Sequence, residues 1–222
     1  MYVSVNGETL FYKVSGNGPA ILLVHGNGED HRIFDETAEL LESNYTVYAM
    51  DSRGHGKSSK TEALGYEAMA EDVAGFVRAL NLERPAYCGF SDGGIIGLLA
   101  AIRHPDLFSK MVLCGANTCP QGLKGRWLKF FGLLERIRHD PKLLMMLREP
   151  RITTEELMGI SIPAMILAGE RDMVRDSHTK YLASHIKGSR LHILPGENHG
   201  SYVIHSRKLY YLMKKFLEES EV

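Results

Sequence analysis

Gly89-Phe90-Ser91-Asp92-Gly93-Gly94 has the residue types and spacing for nucleophilic chemistry, a G-x-S-x-G pattern. It follows the apolar run 86–90 and precedes a segment of helical character, 93–103. A chain turning this sharply from strand to helix has no room for bulky neighbours, which accounts for Gly89 and Gly93. The turn lifts the Ser91 hydroxyl above the sheet, beside the free N–H groups and positive dipole end of the new helix. That setting suits attack on a carbonyl carbon. The competing account is a helix-capping serine among chance glycines.

A serine hydroxyl needs a base, and a neutral histidine needs a carboxylate to orient it. Gly169-Glu170-Arg171-Asp172 follows the apolar run 164–168 and puts Asp172 just past a strand end. Glu170 and Asp176 are its rivals, and the competing account of Asp172 is a surface loop acid or the cap of the next helix. His199 sits in Gly196-Glu197-Asn198-His199-Gly200, the loop expected after strand 191–194. Its flanking glycines suit an exposed loop side chain better than a core histidine. The other nine of the ten histidines are expected to be surface or hydrogen-bonding residues.

The elements that must position these residues alternate. Segments 2–5 and 9–14, split by Asn6-Gly7, read as an antiparallel hairpin. The run Ala-Ile-Leu-Leu-Val at 20–24 suits a strand buried on both faces. Helical stretches at 32–41, 66–80, 93–103, 177–185 and 206–218 alternate with strands at 45–50, 86–90, 111–114, 164–168 and 191–194. Short links between alternating units predict a mostly parallel sheet with helices on both faces, with functional residues just beyond strand ends. Residues 117–151 break the rhythm with two amphipathic helical pieces rich in Lys and Arg. One carries Trp127, Phe130 and Phe131, the other Leu143 to Leu147. The expected division is a core of 1–116 and 152–222 with a helical cap at 117–151.

Bulk properties narrow the classes. A chain of 222 residues fits one domain, and 44% hydrophobic with 24% charged residues is ordinary for a globular protein. A net charge of −1 gives no global signature for nucleic acid or an anionic membrane. Three cysteines, Cys88, Cys114 and Cys119, form no disulfide or zinc pattern. No signal peptide or membrane span is visible, so a cytoplasmic location is expected. No metalloprotease, Walker or dinucleotide motif is present, and neither metal nor cofactor is expected.

The chain resembles the α/β-hydrolases of the small cap-bearing kind over nearly its whole length. His25-Gly26-Asn27-Gly28 resembles the family's oxyanion loop. Asp51-Ser52-Arg53-Gly54-His55-Gly56-Lys57-Ser58 resembles its D-x-R-G-x-G-x-S turn. The serine elbow and the late Asp and His loops complete the set in the family order Ser, acid, His. The resemblance implies an α/β-hydrolase fold and a Ser91–His199–Asp172 triad. It also implies an oxyanion hole from the backbone N–H groups of Asn27 and Asp92, worth about 3–4 kcal/mol per donor. His25, Gly26, Arg53 and His55 are expected to shape their turns. Where some relatives carry the acid after the preceding strand this chain offers Asn117, which favours Asp172. A serine at the elbow argues against the aspartate-dependent dehalogenase and epoxide hydrolase chemistries.

The expected reaction is hydrolysis of a small carboxylic ester, thioester or related acyl bond. Carbon–carbon bond hydrolases and small-cap lyases share the same triad, and a ligand receptor on a hydrolase shell is the non-catalytic alternative. The Ser91-Asp92 pair is similar to the elbow of valacyclovirase-type amino-acid ester hydrolases, in which Asp92 would bind a substrate ammonium. It could instead charge the helix N-terminus. Trp127, Phe130 and Phe131 are candidates for the substrate pocket. The basic cap and Asp92 favour opposite substrate charges.

Overall fold

Asn6 and Gly7 take φ of 50° and 80°, as a two-residue hairpin turn requires, and join β1 (Tyr2–Val5) to β2 (Glu8–Ser15). The computed structural model describes residues 1–61 and 63–219. The apolar runs form β3 (Ala20–Val24), β4 (Thr46–Met50), β5 (Ala86–Phe90), β6 (Met111–Cys114), β7 (Ala164–Arg171) and β8 (Arg190–Asn198). Among the described residues the sheet has eight strands in the order β1-β2-β4-β3-β5-β6-β7-β8. Pairings β1–β2 and β2–β4 are antiparallel, and those from β4 to β8 are parallel.

Helices cover both faces, so strand residues sort by parity. Leu22, Val24, Tyr87, Met111, Leu113 and Ile166 pack with α2 (Tyr66–Ala79) and α3 (Asp92–Arg103). Ile21, Leu23, Cys88, Val112, Cys114 and Leu167 pack with α1 (Asp35–Leu41) and, through Leu209, Met213 and Phe216, the C-terminal helix Lys208–Glu218. Lys110, just before β6, ties the sheet to the end of that helix: its ammonium donates to the carbonyls of Phe216 and Leu217, both at 3.1 Å, and of Glu219 at 2.6 Å, where a helix C-terminus favours a cation.

Between β6 and β7 come a short turn of helix (Pro120–Gly122), α4 (Gly125–Arg138), α5 (Pro141–Arg148) and α6 (Thr154–Met158). None of the 14 residues of α4 is fully buried. Its Phe130, Leu133 and Ile137 are exposed. The Ile152 N–H donates to the Thr118 carbonyl and closes the base of the insertion. Beyond it α6 belongs to the core: Leu157 is buried and the Thr154 hydroxyl meets the Tyr181 hydroxyl at 2.7 Å. The remaining helices are α7 (Asp176–His185) and α8 (Lys208–Glu218).

Several element ends depart from the sequence expectation. Segment 32–41 divides into a 3-10 turn, His31–Phe34, and α1. The last helix starts at Lys208 rather than 206. The two strands next to the candidate acid and base are longer than their apolar cores. β7 runs to Arg171 and β8 through Pro195 to Asn198, with a register shift between Gly169 and Arg171. Proline is tolerated there because β8 is an edge strand. Among the described residues no helix is long and apolar enough to cross a membrane. Cys88 and Cys114 are free and buried, and Cys119 is partly exposed.

Candidate active site

Ser91 occupies the turn between β5 and α3 with φ 52° and ψ −113°, a conformation rare for any residue but glycine. Close packing imposes it. A Cβ on Gly89 would stand 2.3 Å from the Gly93 carbonyl oxygen, and one on Gly93 would stand 2.0 Å from that of Val24. The Ser91 N–H donates to the Cys114 carbonyl at 2.7 Å, fixing the turn to β6.

Three parallel strand ends bring the expected trio together. His199 follows β8, and its Nε2 lies 3.0 Å from Ser91 Oγ. Its Nδ1 lies 2.6 Å from Oδ1 of Asp172, the residue after β7. The buried Asp172 carboxylate also accepts the N–H groups of Val174 at 2.9 Å and Gly169 at 3.3 Å. Burial alone would raise its pKa, but the bond and charge of His199 and the two backbone donors outweigh it and hold the group below the usual carboxylate range. The rival acids are engaged elsewhere. Glu170 accepts from the Gly196 N–H at 2.8 Å, and Asp176 pairs with Lys180 at 2.7 Å. Asn117 donates to the Cys119 carbonyl. Gly115, overlooked in the sequence, leaves room for the base: its Cβ would sit 2.7 Å from His199 Cε1.

The loop after β3 lies across from this trio. His25 Nδ1 is 2.7 Å from the Gly26 carbonyl, and Nε2 accepts the Ser52 N–H at 3.1 Å, which defines a neutral ring with its proton on Nδ1. Burial, then the neighbouring His55, lowers its pKa to about 4. Arg53 holds Asp72 through two bonds of 2.6 and 2.7 Å, and His55 Nδ1 meets the Arg53 carbonyl at 2.9 Å. These side chains build turns. Asp30, His31 and Asp51 bring potential ligand atoms within 4.8 Å of one another. Yet Asp51 already accepts from His31 N, His31 Nδ1 and Lys57 N, all at 2.8 Å, and Asp30 holds Arg32.

Asn27 and Asp92 adjoin Ser91 from two sides, joined by a 2.9 Å bond from Asn27 Nδ2 to Asp92 Oδ2. The second Asp92 oxygen accepts the Tyr66 hydroxyl at 2.8 Å. Asp92 is only 4% exposed. Its burial raises the pKa to about 6 against the pull of Tyr66 and Asn27.

A cavity of about 680 Å³ opens over Ser91 and His199. Asn27 and Glu29 line one side, and Trp127, Phe131, Leu143 and Met146 of α4 and α5 form much of its apolar wall. Two of the expected pocket residues lie elsewhere: Asp92 is behind Asn27 and not on the lining, and Phe130 is 51% exposed on the outer side of α4. Helical periodicity explains the latter, since Trp127 and Phe131 are four residues apart and Phe130 turns about 100° away. Glu29 is a lining residue that no sequence motif singled out.

Comparisons with known proteins agree with this architecture. A family model described as "alpha/beta hydrolase fold" matches residues 19–140. The serine hydrolase BPHL of Homo sapiens is 29% identical over 248 aligned residues, covering 97% of this chain and 85% of its own length. Its Mus musculus counterpart is 30% identical over the same shares. Among solved structures, the enol-lactonase from Burkholderia xenovorans LB400 superposes with a TM-score of 0.82 at 22% identity, covering 99% of this chain and 100% of that one. On the sheet order, the strand-end placement of Ser91 and the family match together, the chain belongs to the α/β-hydrolase fold family.

Proposed function

We propose that this hydrolase cleaves a small carboxylic ester or related acyl bond through an acyl-enzyme on Ser91. The observation that carries the reading is the unbroken chain from Ser91 Oγ to His199 Nε2, 3.0 Å, and from His199 Nδ1 to Asp172 Oδ1, 2.6 Å. His199 takes the serine proton as Oγ bonds to the carbonyl carbon, then returns it to the leaving group. Asp172 keeps the Nδ1 proton in place and stabilises the imidazolium. The N–H groups of Asn27 and Asp92 receive the charge on the tetrahedral oxygen. Water releases the acyl group by the same steps in reverse order.

In this reading α4 and α5 are the cap, and Trp127, Phe131, Leu143 and Met146 receive the acyl chain or the alcohol. Asp92, enclosed by Tyr66 and Asn27, fixes the elbow and the Asn27 side chain rather than meeting the substrate.

Ser91→Ala is expected to lower kcat/KM on p-nitrophenyl acetate by about 10³-fold or more and to abolish labelling by a fluorophosphonate. Unchanged turnover would exclude Ser91 as the nucleophile. Turnover of a vinylogous diketone with none of short esters would favour carbon–carbon cleavage instead.

A further inference from the structure

Among the described residues, three acids around the site are tied to other side chains and Glu29 is not. Asp172 orients His199, Asp92 holds Tyr66 and Asn27, and Asp30 holds Arg32. Glu29 lines the cavity with Ser91 and His199. Its Oε2 accepts the Gly26 N–H at 3.0 Å, and among the described residues this is the carboxyl group's one hydrogen bond. A Cβ on Gly26 would stand 2.8 Å from that oxygen and 3.1 Å from Ser91 Cβ. The carboxyl and the nucleophile thus face each other across the glycine that opens the oxyanion loop. Phe90 stands beside the same glycine, and Leu143 and Met146 add apolar lining to the cavity.

The reaction places a demand on that carboxyl. Attack on an acyl carbon builds negative charge on the carbonyl oxygen inside this cavity. An ionised Glu29 there would repel that charge in a poorly solvated space. A protonated one would remove the repulsion and offer an O–H donor, the use to which buried neutral carboxylic acids are put in other enzymes. The charged and titratable groups that act on Glu29 are His199 from beyond β8, Asp92 from α3 and Asp30 from its own loop, and Arg171 at the end of β7 lines the same cavity with its guanidinium on the Gly196 carbonyl. No lysine or arginine among the described residues forms an ion pair with it.

We propose that Glu29 is a further catalytic residue: it acts protonated, with Oε2 held by the Gly26 N–H and Oε1–H donating to the substrate's acyl oxygen as charge develops. This rests on the serine-hydrolase reading above. Ser91 Oγ bonds to the carbonyl carbon, its proton moves to His199 Nε2, and the carbonyl π pair moves onto oxygen. Glu29 keeps its proton throughout. Burial supports that state. It raises the Glu29 pKa to about 7 against the opposing effects of the Gly26 N–H and His199.

The test is the pH dependence of kcat/KM on a short p-nitrophenyl ester, from about pH 5 to 9 and corrected for spontaneous hydrolysis. Relative to Glu29→Gln, the wild type is expected to decline several-fold as pH rises through about 7. Glu29→Gln cannot ionise and keeps a weaker neutral donor, so the activity it retains at pH 6 should exceed that of Glu29→Ala and should lose the alkaline decline. Glu29→Ala should be about tenfold slower at pH 6, and both variants should still label with fluorophosphonate. A decline that persists in Glu29→Gln overturns the proposal. So does a ratio of wild-type to Glu29→Gln activity that climbs through pH 7, which would mean the carboxylate works ionised; the rise that deprotonation of His199 gives is common to both and cancels in the ratio. If Ser91→Ala is inactive while the Glu29→Gln and wild-type profiles coincide, only the role of Glu29 falls. If Ser91→Ala is active, the hydrolytic reading itself falls.

Discussion

Burial and hydrogen bonding set the protonation of the carboxyl groups around Ser91 in opposite directions. Asp172 is held ionised by His199 and two backbone donors, whereas Glu29 and Asp92 are pushed towards their neutral forms. These shifts enter folding stability with opposite signs. A carboxyl whose pKa is lowered by folding stabilises the native state above its unfolded pKa, and that contribution is lost as pH falls. For Glu29, raised from 4.5 to about 7, the native state binds more protons than the unfolded chain between those values, so stability declines as pH rises through them. Glu29→Gln should therefore be more stable than wild type at pH 8 by about 1 kcal/mol, less than the full shift implies because the side chain faces the cavity. The two should differ little at pH 4. Urea denaturation at both pH values measures this, and a constant difference would show that Glu29 ionisation is not involved. Ser91 and His199 were legible from their glycine-rich surroundings. Asp172 was expected from its place just past a strand end and from the family order, with Glu170 as a rival; the structure brings Asp172 against His199 and Glu170 against the Gly196 N–H. Glu29 carried no signal, since its setting depends on a cavity closed by residues more than 90 positions away.

At the scale of elements, uninterrupted apolar runs revealed the strands because each central strand is covered on both faces. Their ends were less legible. Residues 195–198 look like loop in isolation, and only pairing with β7 across a register shift keeps them in the sheet. That extension determines where His199 emerges. The helices above the cavity were legible as amphipathic pieces, but not which aromatic residues face inward. Trp127 and Phe131 share the inner side of α4, and Phe130 does not. Trp127→Ala or Phe131→Ala should lower kcat/KM on hexanoate esters by about tenfold relative to acetate esters, the loss expected for one apolar wall contact. Phe130→Ala should leave that ratio within about twofold. Equal losses on both chain lengths would mean that the two aromatic residues support α4 rather than contact the acyl chain.

For the whole molecule, alternation of strand and helix was sufficient to infer the doubly covered parallel sheet. Its two apolar layers, one on each face, follow from strand parity alone. The sequence did not reveal how the last helix is tied to the sheet: Lys110, just before β6, reaches the carbonyls that finish α8. The layer between the sheet and α1 and α8 also holds Cys88 and Cys114, both free and without solvent exposure, whereas Cys119 is partly open. Their positions make the three thiols a clock. An alkylating reagent should modify about one thiol per chain promptly and the other two only as often as this layer parts from the sheet. With reagent in excess, the slow phase should lose its dependence on reagent concentration and report the opening rate directly, accelerating with urea. Three equally fast thiols would show that the layer breathes freely in the native protein.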